Sequence, residues 1–353
     1  MFNNITDLSR NEFLFDHPLL ISNSLPQLSA QHICRYQMTS NLVAKLAEHH
    51  NIDSDHINLC NGAEHAIKAI FSAVAGMGKA TLLLPTPGWD YYWRLAAEYN
   101  ISTSSYSYTQ TNDNNFALEI DDLESRIQDI VKPILLIASP LNPLGSHTDR
   151  ALMQRLAQLV ATKGYTIVDK TYDGYSHDKH RELSLSEILT TMPQTLGICS
   201  FSKYYGMPGL RVGFTVAPKA VQKTFAILRE YLGFNVFSDY FAVECLSRHN
   251  EFAHIARQVI ENRKRLNDFF ALRSGFEPFQ SAANFILVRT PEGYAVYLLK
   301  NGIKIKSFSE SPLQRFVRIT IPPLHIVERI EALTTQFCKE DPSRLLDRPT
   351  PEA

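Results

Sequence analysis

Short, uniformly apolar segments alternate with longer amphipathic segments through the middle of the chain. The apolar segments are residues 81–85, 134–138, 165–169 and 196–200, and they are typical of buried strands because they are too short and too uniform for amphipathic helices. Residues 149–162 have helical periodicity, with Thr148 as the expected N-cap and Gly164 just beyond the end. Strands that alternate with helices in this way predict an α/β fold with a mostly parallel central sheet and helices on both faces.

The C-terminal part has a different pattern. Helical periodicity extends over residues 219–231, 238–248 and 251–272, and the last of these is long enough to link two domains. Two further strands are expected at 283–289 and 315–321, with a helix at 293–299 between them. The predicted organisation is an N-terminal arm (1–32), a large domain (33–250), a smaller α+β domain with its linking helix (251–340) and a polar tail (341–353) expected to be disordered.

Composition excludes several classes of protein. The 353 residues are 44% hydrophobic and 20% charged, which is ordinary for a globular protein, and the net charge of −1 gives no reason to expect nucleic acid or a membrane surface as partner. No apolar run reaches transmembrane length, and the first residues lack the pattern of a signal peptide, so a cytoplasmic location is expected. The five cysteines are widely spaced and the histidines show no ligand spacing, so neither disulfides nor a metal site is predicted.

The candidate chemistry centres on residues 200–214, Ser-Phe-Ser-Lys-Tyr-Tyr-Gly-Met-Pro-Gly-Leu-Arg-Val-Gly-Phe. Most lysines are solvated surface charges, but Lys203 comes just past a buried strand, after Ser200 and Ser202 and before Arg211. The glycines that follow permit a tight loop and a close approach of backbone to ligand. A lysine amine can hold an aldehyde as a Schiff base, and arginine is a bidentate phosphate ligand. These are the requirements of pyridoxal 5'-phosphate (PLP).

Asp169 is the second decisive residue, because it ends the third buried strand, where a carboxylate is costly unless it is paired. Its natural partner is the protonated pyridine nitrogen of PLP, a pairing that makes the ring an electron sink. Asn142 follows the second strand, one helix earlier. Ligands of such sheets bind at the carboxyl ends of the strands, so both side chains are expected at neighbouring strand ends.

Two weaker signals precede these residues. The segment 61–64, Asn-Gly-Ala-Glu, comes directly before an apolar helical run at 66–75. Its backbone N–H groups are therefore expected at a helix N-terminus, where a phosphate is favoured. An aromatic cluster at 89–93 follows the first strand, and for Tyr91 and Trp93 core packing is an equally good interpretation.

The segment around Lys203 resembles the cofactor-lysine segment of class I/II aminotransferases, and among them the histidinol-phosphate aminotransferase group. The resemblance covers about residues 35–321 and implies fold type I. It implies that Lys203 forms the Schiff base with PLP and later moves the substrate proton, and that Ser200, Ser202 and Arg211 hold the phosphate. Further roles implied by the resemblance are a phosphate turn at Gly62, Ala63 and Glu64, ring stacking by Trp89, contacts to O3' of PLP from Asn142 and Tyr172, and pairing of Asp169 with the pyridine nitrogen.

The same resemblance extends to substrate and assembly. Arg318 falls at the family position whose guanidinium binds the substrate α-carboxylate, a fork geometry that lysine cannot copy. Arg35-Tyr36 is similar to the family's Arg-Tyr-Pro, whose tyrosine reaches the cofactor phosphate of the neighbouring subunit. The resemblance therefore implies a homodimer with shared active sites, in which Tyr36 serves the other subunit.

Two departures from the family pattern concern the substrate. Phe15 stands where the family has a substrate-binding tyrosine, and it cannot donate a hydrogen bond. The family's Asp-Glu-Ala-Tyr is Asp169-Lys170-Thr171-Tyr172 in this chain. A site without polar partners discriminates poorly for polar ligands, so we expect glutamate with 2-oxoglutarate to support one half-reaction and histidinol phosphate to be a poor donor.

The predicted function is transfer of an amino group between an amino acid, or an amino alcohol phosphate, and a 2-oxo acid. One alternative is decarboxylation, as in threonine-phosphate decarboxylases, which share the cofactor apparatus. A more remote alternative is a catalytically silent PLP-sensing module. Such a module needs an attached DNA-binding domain, and the residues before Ile33 offer neither a basic segment nor room for a helix-turn-helix.

Overall fold

The computed structural model describes residues 5–21, 34–36, 40–178, 182–225, 233–309 and 312–340. The strands in these ranges are β1 (Thr6–Asp7), β2 (Ile57–Cys60), β3 (Ala80–Thr86), β4 (Ser102–Gln110), β5 (Phe116–Leu118), β6 (Lys132–Ala138), β7 (Tyr165–Asp169), β8 (Thr195–Ser200), β9 (Gly213–Val216), β10 (Glu277–Pro278), β11 (Phe285–Arg289), β12 (Ile303–Lys304), β13 (Lys306–Ser307) and β14 (Phe316–Thr320). The α-helices are α1 (Pro18–Ile21), α2 (Asn41–His50), α3 (Gly62–Ala75), α4 (Asp90–Glu98), α5 (Ile120–Asp129), α6 (Arg150–Ala161), α7 (Leu185–Thr191), α8 (Lys219–Thr224), α9 (Val236–Ser247), α10 (His249–Ala271), α11 (Tyr294–Lys300) and α12 (Leu324–Glu340).

The central sheet has eight strands in the order β2-β9-β8-β7-β6-β3-β4-β5. The four inner strands that were predicted, β3, β6, β7 and β8, pair in parallel, whereas β9 is antiparallel to both of its neighbours and β5 is antiparallel to β4. The predicted α/β fold with a mostly parallel sheet is therefore confirmed. The register places Ala138, at the end of β6, beside Asp169, at the end of β7.

Both faces of the sheet are buried, which explains why its inner strands are uniformly apolar. Along β3, Leu82 and Leu84 pack into one hydrophobic core and Leu83 packs into the other. Leu136 of β6 belongs to the first of these cores and Leu135 to the second. Successive side chains of a strand point to opposite faces, so each strand must be apolar at every position.

The helix predicted at 149–162 is α6, but its N-cap differs from the prediction. Asp149, rather than Thr148, caps the helix: its Oδ1 accepts hydrogen bonds from the backbone N–H groups of Ala151, at 2.9 Å, and Leu152, at 3.2 Å. The side chain of Thr148 is buried and its hydroxyl contacts the hydroxyl of Tyr108 at 3.2 Å. Both residue types are good N-caps, with aspartate slightly preferred, and burial of the threonine decides the choice.

A second, smaller sheet has the order β10-β11-β14-β13 with antiparallel pairs, at the two strands predicted there. A third hydrophobic core lies between this sheet and helices α10, α11 and α12. Helix α8 ends at Thr224, before the predicted 231, and residues 226–232 and the tail from 341 lie outside the described residues. The proposed boundaries of the large and small domains stay a prediction.

The N-terminal segment forms a separate two-stranded sheet with β12, beside the smaller sheet. Strand β1 pairs in parallel with β12, and the N–H group of Leu8 donates to the carbonyl of Lys304 at 2.7 Å. The N–H group of Thr320 in β14 donates in turn to the carbonyl of Leu8 at 3.0 Å. These bonds direct residues 9–11 across the end of β14 towards the carboxyl ends of the central strands.

The described residues offer no membrane-spanning helix and no cluster of metal ligands. No helix in these ranges is both long and apolar enough to cross a membrane. The same ranges contain no group of three or more histidine, cysteine or acidic side chains arranged to hold a metal ion. All five cysteines are free thiols, at positions 34, 60, 199, 245 and 338.

Candidate active site

A cavity of about 280 Å³ lies at the carboxyl ends of β6, β7 and β8, and we call it the inner cavity. It gathers most of the residues that the sequence singled out, although they come from six separate segments of the chain. The predicted site residues that line it are Ala63, Glu64, Trp89, Asn142, Asp169, Tyr172, Ser200, Ser202, Lys203, Arg211 and Arg318.

Lys203 stands in the loop that follows β8. Its ammonium donates a hydrogen bond to the carbonyl of Arg10 at 3.1 Å and lies 5.5 Å from the ring centroid of Tyr172. The Tyr175 hydroxyl holds the backbone at this point, since it donates to the Lys203 carbonyl at 3.0 Å. Gly206 allows the loop to turn back, because its φ of +61° is unfavourable for other residues. The lysine amine is thus presented to the cavity from a fixed backbone.

Asp169 is 5% exposed at the end of β7, and both of its carboxylate oxygens accept hydrogen bonds. The hydroxyl of Tyr92 donates to Oδ2 at 2.6 Å, and the backbone N–H of Thr171 donates to Oδ1 at 2.8 Å. Burial, reinforced by the charge of Asp169, raises the pKa of Tyr92 well above its usual range, so this tyrosine remains a donor. The two donors keep a buried carboxylate in place and leave it facing the cavity.

The sequence reasoning missed Tyr92, because attention fell on its neighbours Trp89, Tyr91 and Trp93. The ring of Tyr92 is buried against Trp89 in an edge-to-face contact with centroids 5.3 Å apart. A buried tyrosine hydroxyl needs a hydrogen-bond partner. That requirement was the available signal, but the partner itself, 77 positions away in sequence, could not be identified.

Opposite Asp169, the N-terminus of α3 forms one wall of the inner cavity. The helix begins at Gly62, and the side chain of the N-cap residue Asn61 makes no capping hydrogen bond to it. Gly62 has a φ of +82°, and a Cβ there would lie 2.7 Å from Nη2 of Arg211. A Cβ on Gly213 would in turn lie 2.7 Å from the carbonyl carbon of Gly62. Gly62 is thus required for its positive φ, and Gly213 for the close approach of β9 to this helix start.

Arg211 faces the same helix start from the loop after β8, next to Ser200 and Ser202. Its Nη2 lies 3.6 Å from Oε2 of Glu64, and both side chains are partly exposed. Glu64 also accepts from Lys68 at 2.8 Å and from the Tyr91 hydroxyl at 3.1 Å. The hydrogen bond from Lys68 is the main cause that lowers the pKa of Glu64. Backbone N–H groups, two hydroxyls and a guanidinium therefore converge here, which is a donor set suited to phosphate.

Arg318 forms the opposite, substrate side of the cavity and is 8% exposed. Its guanidinium donates to Oδ1 of Asn142 and, at 2.6 Å, to the carbonyl of Ser9. Its Nε–H is buried and has no hydrogen-bond partner among the described residues. Burial lowers the pKa of Arg318, and the neighbouring Tyr172 partly opposes this. An unsatisfied buried donor costs about 1–3 kcal/mol, so a carboxylate ligand at this guanidinium is chemically suitable.

The N-terminal segment supplies two further residues that the sequence reasoning passed over, Arg10 and Asn11. Asn11 is fully buried, and its Nδ2 donates to the Tyr172 hydroxyl at 3.0 Å. Its backbone N–H donates to Oγ1 of Thr320 at 2.9 Å. Asn11 therefore fixes the tyrosine hydroxyl in the cavity. The signal was present in the same segment as Phe15: the family pattern there resembles Asn-Glu-Asn-Pro-Tyr-Gly, and Asn11-Glu12 retains its first two residues.

Three predicted site residues do not line the inner cavity. Gly62 lies directly behind it, in contact with Arg211 as described. Phe15 lies elsewhere, in a surface cavity beside α10, because Phe13 packs on Phe252 and turns the chain away after Asn11. Tyr36 is 72% exposed in this chain, and its predicted contact with a second subunit stays a prediction.

Comparison with known proteins agrees with this geometry. The family model "Aminotransferase class I and II" matches residues 3–337. A histidinol-phosphate aminotransferase of Microcystis aeruginosa is 27% identical over 325 residues, which cover 90% of this chain and 87% of that protein. The similarity therefore extends over nearly the whole length of both chains.

Solved structures show the same fold at lower sequence identity. Histidinol-phosphate aminotransferase from Sinorhizobium meliloti, solved in complex with pyridoxal-5'-phosphate, has a TM-score of 0.80 at 19% identity and covers 96% of this chain and 92% of its own. L-threonine-O-3-phosphate decarboxylase from Porphyromonas gingivalis has a TM-score of 0.75 at 20% identity, with 95% and 100% covered. Because the family model spans almost the entire sequence, the chain belongs to the class I and II aminotransferases, which are PLP-dependent enzymes of fold type I.

Proposed function

We propose that Lys203 binds the PLP aldehyde covalently and that the wall formed by α3 and Arg211 binds its phosphate. The observation that carries this proposal is the convergence of Lys203, Asp169 and the N-terminus of α3 on one cavity of about 280 Å³. Serines 200 and 202 would complete the phosphate site together with the N–H groups of Ala63 and Glu64. Trp89, beside Tyr92, would cover one face of the pyridine ring.

Asp169 has the role of holding the pyridine nitrogen protonated. Its carboxylate is buried and already fixed by Tyr92 and Thr171, so it needs no reorganisation when the ring binds. Asn142 and Tyr172 lie at the adjacent strand ends, where their side chains can bind the phenolic oxygen O3'. When bound, PLP supplies an electron sink for the substrate carbon that loses its proton.

The proton transfer itself is assigned to Lys203. In the holoenzyme, Nζ of Lys203 would accept the substrate α-proton and hold it for transfer to the cofactor. Arg318 would hold the α-carboxylate, since its guanidinium is buried at the far side of the cavity and has an unsatisfied Nε–H. The substrate is then bound at both ends of the reacting carbon, which fixes its orientation.

As an aminotransferase, the enzyme uses an amino acid and a 2-oxo acid. We propose glutamate with 2-oxoglutarate as one half-reaction and infer that histidinol phosphate is a poor donor. One observation supports the inference about histidinol phosphate. The family's substrate-binding tyrosine is replaced by Phe15, and Phe15 lies in a surface cavity outside the inner cavity. A panel of amino donors, scored by loss of the cofactor's Schiff-base absorbance, tests the proposal. Histidinol phosphate as best donor by orders of magnitude would refute it, and release of CO₂ would favour a decarboxylase.

A homodimer with Tyr36 reaching the partner's phosphate site is part of the same proposal. It is supported by the exposure of Tyr36, which has no role within its own chain's cavity. Sedimentation analysis of the holoenzyme, together with Tyr36→Phe, tests it: loss of PLP affinity in an unchanged dimer is the expected result. A monomeric, fully active enzyme would contradict the shared site. The expected cytoplasmic location stays a prediction that cell fractionation would test.

The covalent role of Lys203 has a direct test. Lys203→Ala should abolish both the Schiff-base absorbance and transamination, because no other amine reaches the same point from this loop. Lys219→Ala is the matched control, since Lys219 is exposed and pairs with Asp55 at 2.8 Å, away from the cavity. Full activity of Lys203→Ala, or a wild-type protein that never shows the absorbance, would remove the basis of the site assignment.

A further inference from the structure

A larger cavity of about 790 Å³, the outer cavity, adjoins the inner one and opens to solvent. Its described lining is strongly cationic, with four basic side chains against a single carboxylate: Arg10, Arg94, Lys306 and Arg318 against Asp90. Such a cleft raises the local concentration of anions. Of these four basic residues, the proposed function uses only Arg318.

The sheet register concentrates part of this charge. Lys306 of β13 is directly opposite Arg318 of β14 in an antiparallel pair, so their side chains leave the same face of the small sheet. Like charges in directly opposite positions destabilise a sheet. An anionic ligand at this face would offset the repulsion.

Arg10 occupies the junction, because it lines both the inner and the outer cavity. Its backbone is fixed on both sides: Arg318 donates to the carbonyl of Ser9 at 2.6 Å, and Lys203 donates to the carbonyl of Arg10 at 3.1 Å. Its side chain is 68% exposed, and its ion pair with Asp7 is long, at 3.9 Å. Asp7 has a closer cation in Lys304, at 3.1 Å. The guanidinium of Arg10 is thus positioned beside the substrate-binding residues with its charge weakly compensated.

We propose that Arg10 is a specificity-determining residue that binds the distal acidic group of the substrate, a carboxylate or a phosphate. The inference rests on the proposed function, since it takes Arg318 as the site of the α-carboxylate. Arg10 and Arg318 line both the inner and the outer cavity, so one substrate can contact the two guanidiniums. A planar guanidinium binds carboxylate and phosphate alike by paired N–H bonds. Donors with neutral side chains lack this second anchor.

Binding to the holoenzyme tests the proposal without any turnover. Glutarate and valerate are the probes, because they have the same number of carbons and differ by one carboxylate. The wild-type holoenzyme should bind glutarate more tightly, and Arg10→Gln should reduce this preference about tenfold. Since the side chain is exposed, the wild-type preference should also decline as salt rises. An unchanged glutarate-to-valerate ratio in Arg10→Gln would overturn the proposal even if the enzyme transaminates as expected.

Kinetics separates the two possible distal groups and the neighbouring cations. Glutamate, O-phosphoserine and norvaline are compared by kcat/KM, and Arg10→Gln should lower the value for one or both anionic donors about tenfold while norvaline changes less than about threefold. A larger loss for glutamate assigns the distal carboxylate, and a larger loss for O-phosphoserine assigns the phosphate. Arg94→Gln is the matched control. The Arg94 guanidinium lies 5.5 Å from the ring centroid of Tyr91, and Arg94 lines the outer cavity but not the inner one. An effect confined to Lys306→Gln would overturn the assignment to Arg10.

Discussion

Replacement of Asp169 by asparagine separates the charge of this residue from its shape. Asparagine has almost the same volume, and its Oδ1 can still accept the N–H of Thr171, now at 2.8 Å. Its amide can face the hydroxyl of Tyr92, now at 2.6 Å, with the donor and acceptor roles exchanged. The fold should therefore be retained, at a cost of about 1 kcal/mol or less for one altered hydrogen bond. What is lost is the negative charge that we propose keeps the pyridine nitrogen protonated.

The size of the effect follows from the burial of this carboxylate. Two unit charges about 4 Å apart attract by about 1 kcal/mol in water and about 4 kcal/mol at an effective dielectric constant of 20. Asp169 is 5% exposed, so the value in water is too small, and the value at a dielectric constant of 20 is the appropriate one for a buried pair. A loss of about 2.7 kcal/mol in the transition state corresponds to about 10² in rate. We expect Asp169→Asn to lose at least this factor, and at most about 10³.

The assay is a single-turnover half-reaction with glutamate, followed by the change in cofactor absorbance. Retention of PLP after gel filtration and an unchanged far-ultraviolet spectrum are the controls that separate chemistry from folding. A rate loss of about 10² or more in a protein that retains PLP is the expected result. A variant that keeps the wild-type rate would show that Asp169 is only a structural carboxylate, and the interpretation of the inner cavity would then be wrong.

Two further predictions concern buried groups. Tyr92→Phe keeps the ring packed against Trp89 but removes the hydrogen bond to Asp169. We expect urea unfolding to show a free energy of unfolding about 1.5–3 kcal/mol lower, and a smaller rate loss than for Asp169→Asn. Equal stability of variant and wild type would show that this hydrogen bond does not stabilise the fold. Burial, together with the positive charges of its neighbours, lowers the pKa of His50 to about 3 from 6.5. Between pH 6.5 and 3, His50 is therefore protonated in the unfolded chain but neutral in the folded one. Its contribution to the free energy of unfolding is complete above pH 6.5 and is lost as the pH falls towards 3, by up to about 1.4 kcal/mol per pH unit. Between pH 7 and 4.5, the free energy of unfolding in urea should fall less steeply for His50→Gln than for wild type. The exposed His254→Gln is the control. Identical pH dependence in all three proteins would contradict the lowered pKa of His50.

The inner strands were predictable from sequence because their environment is uniform. β7 begins and ends at the predicted residues, and β3, β6 and β8 agree to within one or two residues. β4 was not predicted, since its sequence, Ser-Thr-Ser-Ser-Tyr-Ser-Tyr-Thr-Gln, is polar and buries only Tyr106 and Tyr108. A strand near the edge of a sheet is held by pairing with its neighbours, and a single sequence does not show that pairing.

Some residues of the candidate site could likewise be predicted from sequence and others could not. Residues at successive strand ends could be placed together, because the carboxyl ends of parallel strands meet at one edge of the sheet. Asn11 and Tyr172 are 161 positions apart, and Ser9 and Arg318 are 309 apart. These contacts depend on how the small sheet is placed against the large one, and no local pattern encodes that placement. Arg10 and Asn11 were missed for this reason, whereas Tyr92 reaches Asp169 within the large sheet and its helices, across 77 positions.

The pairing of β1 with β12 also sets an order of events during synthesis of the chain. Asp7 leaves the ribosome 297 residues before its partner Lys304, which at about 5–20 residues per second is a delay of about 15–60 s. The cofactor ligands proposed within one subunit lie between Gly62 and Arg211, and Tyr36, proposed for the partner's site, comes earlier still, so all of them emerge well before that time. The residues of the proposed cofactor site can therefore assemble on the nascent chain. The proposed substrate site around Arg318 is completed only when residues 6–8 bond to β12 and β14.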